Sequence, residues 1–91
     1  MRLSQKCRDL LILHVDGPVP VGEIRRRELL DAGIVLRLRG LIQGDAPGPF
    51  RGSQTAITPK GRAILAEVLA EAADALWEAS VEVLELELAQ T

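Results

Sequence analysis

Apolar side chains recur at helical spacing in two parts of the chain, one close to its start and a longer one over its last third. The first part contains residues at steps of three and four: Leu3, Cys7, Leu10, Leu11 and His14. Ser4 stands at the start of this run, where its hydroxyl can accept hydrogen bonds from the free backbone N–H groups of the first turn. The pattern predicts a first helix that ends at Asp16-Gly17-Pro18.

The second part predicts a single long helix from Pro59 to about Ala89. Thr58 suits the N-cap, Pro59 falls where a missing N–H costs nothing, and Gly61 leaves room for another segment to come close. At 1.5 Å per residue the helix is roughly 46 Å long, more than so small a domain can cover. Its apolar positions form a seam with alternating steps of four and three: Leu65, Leu69, Ala72, Leu76, Ala79, Val83 and Leu86.

A helix of this composition needs partners to persist. Carboxylates one turn apart, such as Glu67 and Glu71, repel each other by roughly 0.2–0.5 kcal/mol per pair. A second apolar strip accompanies the seam: Trp77, Val81, Leu84 and Leu88. We expect one strip to pack on the first helix of the same domain and the other to hold a homodimer together. The predicted dimer contacts are Leu65, Leu69, Leu76, Trp77, Val83 and Leu86.

The stretch between the two helices is ambiguous. We predict a second helix over about residues 22–32, with Gly33 as its left-handed cap. The alternation Leu36-Arg37-Leu38-Arg39 then favours a strand over about 34–43, with the leucines inward and the arginines outward.

Turn residues separate that strand from a returning one. The segment Gly44-Asp45-Ala46-Pro47-Gly48-Pro49 has turn chemistry throughout, and a second strand is predicted at about 54–58. Phe50 and Arg51 lie near the tip of the loop. The predicted fold is therefore mainly α with one β-hairpin.

The join between the second strand and the long helix resembles a known family. The run Ile57-Thr58-Pro59-Lys60-Gly61-Arg62 is similar to the "L-T-x-x-G-R" junction of winged-helix transcription regulators of the MarR and PadR kinds. The resemblance implies a winged helix-turn-helix with a long C-terminal helix. Residues 1–58 would form the winged-helix domain, and 59–91 the dimerisation helix of the same compact unit.

The same resemblance leaves a second interpretation open for the middle of the chain. Arg37-Leu38-Arg39-Gly40-Leu41-Ile42 is similar to the end of a recognition helix, where winged-helix proteins commonly have "L-x-x-x-G-L-I". In this alternative, residues 22–42 contain two short helices with the turn at Ala32-Gly33.

Charge is divided sharply along the chain. Residues 1–62 contain all eleven Lys and Arg against six acids, a net charge of +5, whereas residues 63–91 contain seven acids and no base. This polarity predicts a basic working module joined to an acidic helix with another role. We expect the basic module to bind double-stranded DNA through Arg25, Arg26, Arg27, Arg37, Arg39, Arg51, Lys60 and Arg62.

Catalytic chemistry is sparse. The chain has one His, one Cys and no Tyr, and it contains no zinc, redox or phosphate-loop motif, so no enzyme activity, metal or cofactor is expected. We interpret His14 and Cys7 as structural residues, and a lone Cys without a signal peptide as typical of a cytoplasmic protein. The apolar run Leu10 to Val15 is too short to span a membrane.

Aromatic residues make up only 2% of the chain, too few for a base-stacking platform, which favours duplex over single-stranded nucleic acid. These observations predict a homodimeric DNA-binding regulator. The alternative is a winged-helix protein-interaction module or adaptor that docks a protein partner through its acidic C-terminal helix.

Overall fold

The structure is a computed structural model that describes residues 2–90. It is mainly helical, with a small antiparallel sheet and a long C-terminal helix, as the periodicity predicts. The elements are helix α1 (Gln5–Leu13), a 3-10 turn (His14–Asp16), strand β1 (Val19–Pro20), helices α2 (Val21–Arg26) and α3 (Leu30–Leu38), strands β2 (Ile42–Gln43) and β3 (Gln54–Ile57), and helix α4 (Pro59–Ala89).

The first helix is confirmed at both ends. The Ser4 hydroxyl accepts a hydrogen bond from the backbone N–H of Cys7 at 3.3 Å, which caps α1. A 3-10 turn then carries the chain to Asp16 and Gly17, close to the predicted end. Cys7 is buried in the core as a free thiol.

The prediction of one helix over residues 22–32 is wrong, because the chain turns sharply at Glu28. There the backbone is left-handed, with φ of 59°. The N–H of Glu28 donates to the carbonyl of Arg25, and the N–H of Leu29 to that of Ile24, so α2 ends in a Schellman-type cap. This cap is hard to recognise in the sequence because its left-handed position, usually glycine, is Glu28 here.

The prediction of a strand over 34–43 is also wrong, since its first five residues are the second half of α3. Helical spacing buries Leu36 completely and leaves Leu38 82% exposed, where a strand would have turned both leucines inward. The alternative interpretation is right that two short helices occupy this stretch but misplaces the turn between them. Gly33 is no cap: it lies inside α3, packed on Leu10 and Ile24.

The predicted hairpin is confirmed, with a shorter first strand. In β2 and β3, Ile42 pairs with Ile57 and Gln43 with Ala56. The sequence predicts a single hairpin, but β3 also pairs on its other side with β1, where Val19 lies opposite Thr55. The strand order is therefore β1-β3-β2, with β3 in the centre.

One hydrophobic core joins the first three helices, the sheet and the start of α4. Its completely buried members are Leu10, Leu11, Leu36 and Leu41. Helix α4 has the predicted bounds, but only Gly61, Leu65 and Val68 are buried in it. We call residues 2–68 the body and residues 69–89 the projecting helix. The molecule measures 57 × 25 × 21 Å, an elongation that this helix explains.

Candidate nucleic-acid interface

Helix α3 ends on the beginning of α4. Gly40, with φ of 72°, closes α3 with a Schellman cap in which the Leu41 N–H donates to the Leu36 carbonyl. The Thr58 hydroxyl accepts from the Gly61 N–H at 3.0 Å and donates to the Gly40 carbonyl at 2.6 Å. The α4 cap therefore also satisfies a carbonyl at the end of α3, so the two helices are held in one fixed relation.

Gly61 has the close neighbour that the sequence predicts. A Cβ on Gly61 would lie 1.9 Å from the carbonyl oxygen of Leu41, well inside van der Waals contact. That same oxygen accepts from the Thr58 N–H at 3.0 Å. Because Gly61 has no side chain, the first turn of α4 can lie directly on the backbone that follows α3.

Lys60 has a partner within the protein. Its Nζ donates to the backbone carbonyl of Arg39 at 3.1 Å, at the C-terminal end of α3, although the side chain is exposed. Lysine is favourable there because the carbonyl end of a helix carries partial negative charge. Lys60 therefore positions α3 and α4, and its ammonium has fewer donors left for an external phosphate than the sequence alone suggests.

The three consecutive arginines do not share one environment. Glu23 forms ion pairs with Arg26 and, at 2.7 Å, with Arg27. Hydrogen bonds from Arg26 and then from Arg27 lower the pKa of the Glu23 carboxyl. Arg27 borders a shallow depression beside α1, next to Asp9. Arg25 is exposed and takes part in neither of the two ion pairs found within residues 2–90.

The remaining predicted contacts are all exposed and lie on three elements. Arg37 and Arg39 are at the end of α3, Arg62 is in the first turn of α4, and Arg51 is in the loop between β2 and β3. The Arg37 guanidinium lies against Gly44 at the start of that loop, where a Cβ would come within 2.8 Å of it. The end of α3 and the start of α4 thus form a basic region around the junction, whereas Arg51 lies before the opposite end of β3.

The outward face of α3 was not anticipated. Leu30, Ile34 and Leu38 are 42%, 56% and 82% exposed and follow one another at steps of four residues. They form an apolar stripe, which we call the α3 stripe. The signal was present in the sequence as an i, i+4, i+8 pattern, but the assignment of a strand to this segment concealed it.

The predicted dimer contacts divide into one buried residue and five exposed ones. Leu65 lies in the core of the body, where a partner cannot reach it. The others are between 41% and 72% exposed: Leu69, Leu76, Trp77, Val83 and Leu86. The expectation that one strip packs on the first helix holds only as far as Val68, because every residue from 69 to 80 is exposed. Both strips of the projecting helix are left uncovered.

His14 is buried inside the body, where its side chain has a structural role. Its Nδ1 is 2.8 Å from the Leu10 carbonyl, which can only accept, so Nδ1 carries the proton. Nε2 then accepts from the Thr55 hydroxyl at 2.7 Å. Burial lowers the pKa of the imidazole, against a smaller opposite effect of the Leu10 hydrogen bond. The side chain thus ties α1 to the central strand in its neutral form.

Comparisons with protein-family models, curated proteins and solved structures find no match to this chain. Within residues 2–90, none of the helices combines the length and the apolar character needed to cross a membrane. The same part of the chain holds no group of three or more His, Cys, Asp or Glu side chains placed to bind a metal ion.

Proposed function

We propose that this protein is a cytoplasmic, homodimeric winged helix-turn-helix protein that binds duplex DNA and regulates transcription. The observation that carries the proposal is the placement of charge on the fold. The basic side chains all belong to the body, and those at the end of α3, the start of α4 and in the β2–β3 loop are exposed. The acidic residues of α4 lie along the helix that leads away from them.

The order of elements supports the same proposal. Two short helices joined by a three-residue turn, α2 and α3, are followed by a hairpin, β2 and β3. In a helix-turn-helix protein the second helix enters the major groove, and the loop of an adjacent hairpin can contact the flanking backbone. Here α3 takes the position of the recognition helix, and Arg51 lies in the loop that serves as the wing.

Dimerisation through the projecting helix supplies the second half of the site. Leu69, Leu76 and Val83 repeat every seven residues on one exposed face, which is the spacing of a coiled-coil seam. Pairing these faces places two bodies on one two-fold axis, as two half-sites on DNA require. Because the Thr58 junction fixes α3 to α4, the dimer helix would set the separation of the two α3 helices.

A salt titration of binding tests the proposal. If each subunit makes about three to five phosphate contacts, log K against log salt should have a slope of roughly −5 to −9 for the dimer. The double substitution Arg25→Ala and Arg39→Ala should flatten the slope by about 3 to 4, since it removes about four contacts per dimer. The matched control, Arg2→Ala with Lys6→Ala, removes the same charge from the N-terminal end and should change the slope less.

Absence of binding to any duplex at low salt, from a folded dimer, would contradict the proposal. It would favour a protein-interaction module instead, for which one observation speaks directly. Trp77 is 72% exposed and lies with Val81 among three carboxylates: Glu78, Glu82 and Glu85. Tryptophan is enriched at the centres of protein interfaces, so a basic partner protein could dock on this strip.

A further inference from the structure

We propose that the α3 stripe reads the methyl groups of thymine, so that the protein prefers A·T-rich duplex DNA. The inference rests on the proposed DNA binding and names the feature that α3 would recognise. It starts from a mismatch between the charge around α3 and the chemistry of its outer face. The surroundings are basic, yet the residues that would point into the groove are mostly apolar.

The dimensions of the stripe suit a major groove. Leu30 and Leu38 are eight residues apart, which is about 12 Å along a helix axis. Successive base pairs are about 3.4 Å apart, so a stripe of this length lies over three to four of them. In the major groove, the C5-methyl of thymine is the apolar group that a base edge presents. Three aliphatic side chains at one-turn intervals can each contact such a methyl.

Hydrogen-bond reading by this face is limited to two side chains. Arg37 is the first; it lies beside Ile34 and Leu38, and its guanidinium is against Gly44 at the start of the β2–β3 loop. Asp31 is the second; it is exposed in the first turn of α3, where a carboxylate can only accept. Each base pair presents one amino donor there, on adenine or on cytosine, and a carboxylate can accept from either. Asp31 therefore does not distinguish A·T from G·C pairs, and the preference for A·T comes from the stripe, which matches the thymine methyl.

The charges around the stripe favour DNA over a neutral apolar partner. Arg39 and Arg62 lie at the C-terminal end of α3 and the start of α4, and Arg25 lies at the end of α2; all three are exposed. A polyanion whose groove contains methyl groups matches both the basic rim and the apolar centre. An uncharged protein surface would match only the centre.

Nucleotide analogues test the inference one methyl group at a time. The full-length protein is titrated against fluorescent 24-base-pair duplexes, and anisotropy measures binding. One pair compares alternating dA·dT with the same duplex containing deoxyuridine, which lacks the methyl. The other pair compares alternating dG·dC with its 5-methylcytosine form, which gains it. Loss of each contacted methyl should weaken binding about four-fold. Methylation of cytosine should strengthen binding.

A matched pair of variants assigns the effect to α3. Leu38→Ser should lower the discrimination between thymine and uracil by about four-fold for each methyl contact that it removes, and it should fold normally because Leu38 is 82% exposed. Arg39→Ala should weaken binding to both duplexes equally. Equal affinity of the unmodified protein for thymine and uracil duplexes would overturn the inference and leave DNA binding standing. Undiminished discrimination in both Leu38→Ser and Ile34→Ser would also overturn it. If the protein binds none of the duplexes, that result would instead overturn the proposed function and would make the stripe a protein interface.

Discussion

The body and the projecting helix contain similar proportions of Leu, Ile and Val, but these side chains lie in different environments. In the body, Leu10, Leu11 and Leu36 are completely buried by neighbours from other elements. In the projecting helix, Leu76 and Leu86 have comparable side chains and helical spacing, yet 70% and 63% of their surface is exposed. A monomer therefore buries the core leucines of the body but leaves the leucines of the projecting helix exposed to solvent.

The difference shows what helical periodicity does and does not specify. An apolar stripe indicates which face of a helix is more stable when buried, but it does not indicate which molecule buries it. For α1, and for the inner face of α3 with Leu36, the cover is the rest of the chain. For the projecting helix, like-charged carboxylates one turn apart further weaken the isolated helix. We propose that a second copy of the chain covers it.

The largest effect is expected in the body, at Leu36. Leu36→Ala should lower the free energy of unfolding by about 2–5 kcal/mol, because it leaves a cavity in a close-packed core. Leu38→Ala, two positions along the same helix, should cost less than about 0.5 kcal/mol because Leu38 is exposed. Urea denaturation measures both. Equal costs would mean that this segment is a strand with both leucines inward.

The next effect is expected where the two regions join. Gly61→Ala should destabilise by about 1–3 kcal/mol or more, since its Cβ would overlap the Leu41 carbonyl oxygen. Gly22→Ala is the matched control: no atom lies within 4 Å of its Cβ position in α2, so helix propensity should make it stabilising by up to about 1 kcal/mol. Thermal denaturation compares the two. A tolerated Gly61→Ala would contradict the contact between α4 and the backbone after α3.

Acid should weaken the body through His14. Burial lowers the pKa of this imidazole, so the unfolded chain, with an ordinary pKa of about 6.5, takes up a proton first. Stability is therefore complete above pH 6.5 and falls as the pH drops below it, by at most about 1.4 kcal/mol per pH unit, until the folded-state pKa is reached. Urea denaturation from pH 7.5 to 5 measures the slope. His14→Gln should remove it, and an unchanged slope in that variant would refute the assignment.

The smallest effect is expected at the turn between α2 and α3. Glu28→Gly should stabilise the body by about 0.5–1 kcal/mol, because glycine adopts a φ of 59° without steric cost. Glu28→Ala separates this backbone effect from the loss of charge, since alanine keeps the Cβ and should give no gain. Chemical denaturation resolves the difference. A stabilising Glu28→Ala would assign the effect to charge instead.

The two helix caps explain why part of the fold could be predicted and part could not. Gly40 at the end of α3 and Thr58 with Pro59 at the start of α4 are residue types that commonly mark helix ends, so these boundaries can be recognised in the sequence. The turn at Glu28 uses the same Schellman geometry without glycine. It is enforced by the burial of Leu29 rather than by local preference, and no local rule could find it.

The sequence was enough to predict which charged residues the candidate site contains, but not how the structure arranges them. Counting Lys and Arg identified the exposed basic residues, since exposure is the ordinary state of such side chains. Two details needed the structure. Lys60 donates to the Arg39 carbonyl, and Arg27 pairs with Glu23 beside α1, so each has a partner within the protein that the sequence does not reveal. The α3 stripe also became visible only when residues 34–38 proved helical.

Sedimentation of the unmodified protein tests most directly the claim that a second copy covers the projecting helix. The account predicts a species of twice the 9.9 kDa chain mass at micromolar concentration. Leu76→Glu, which places a charge in the seam at a residue that the body does not touch, should return it to a monomer whose body stays folded. A well-folded monomer at high micromolar concentration, with α4 still fully helical by circular dichroism, would contradict it.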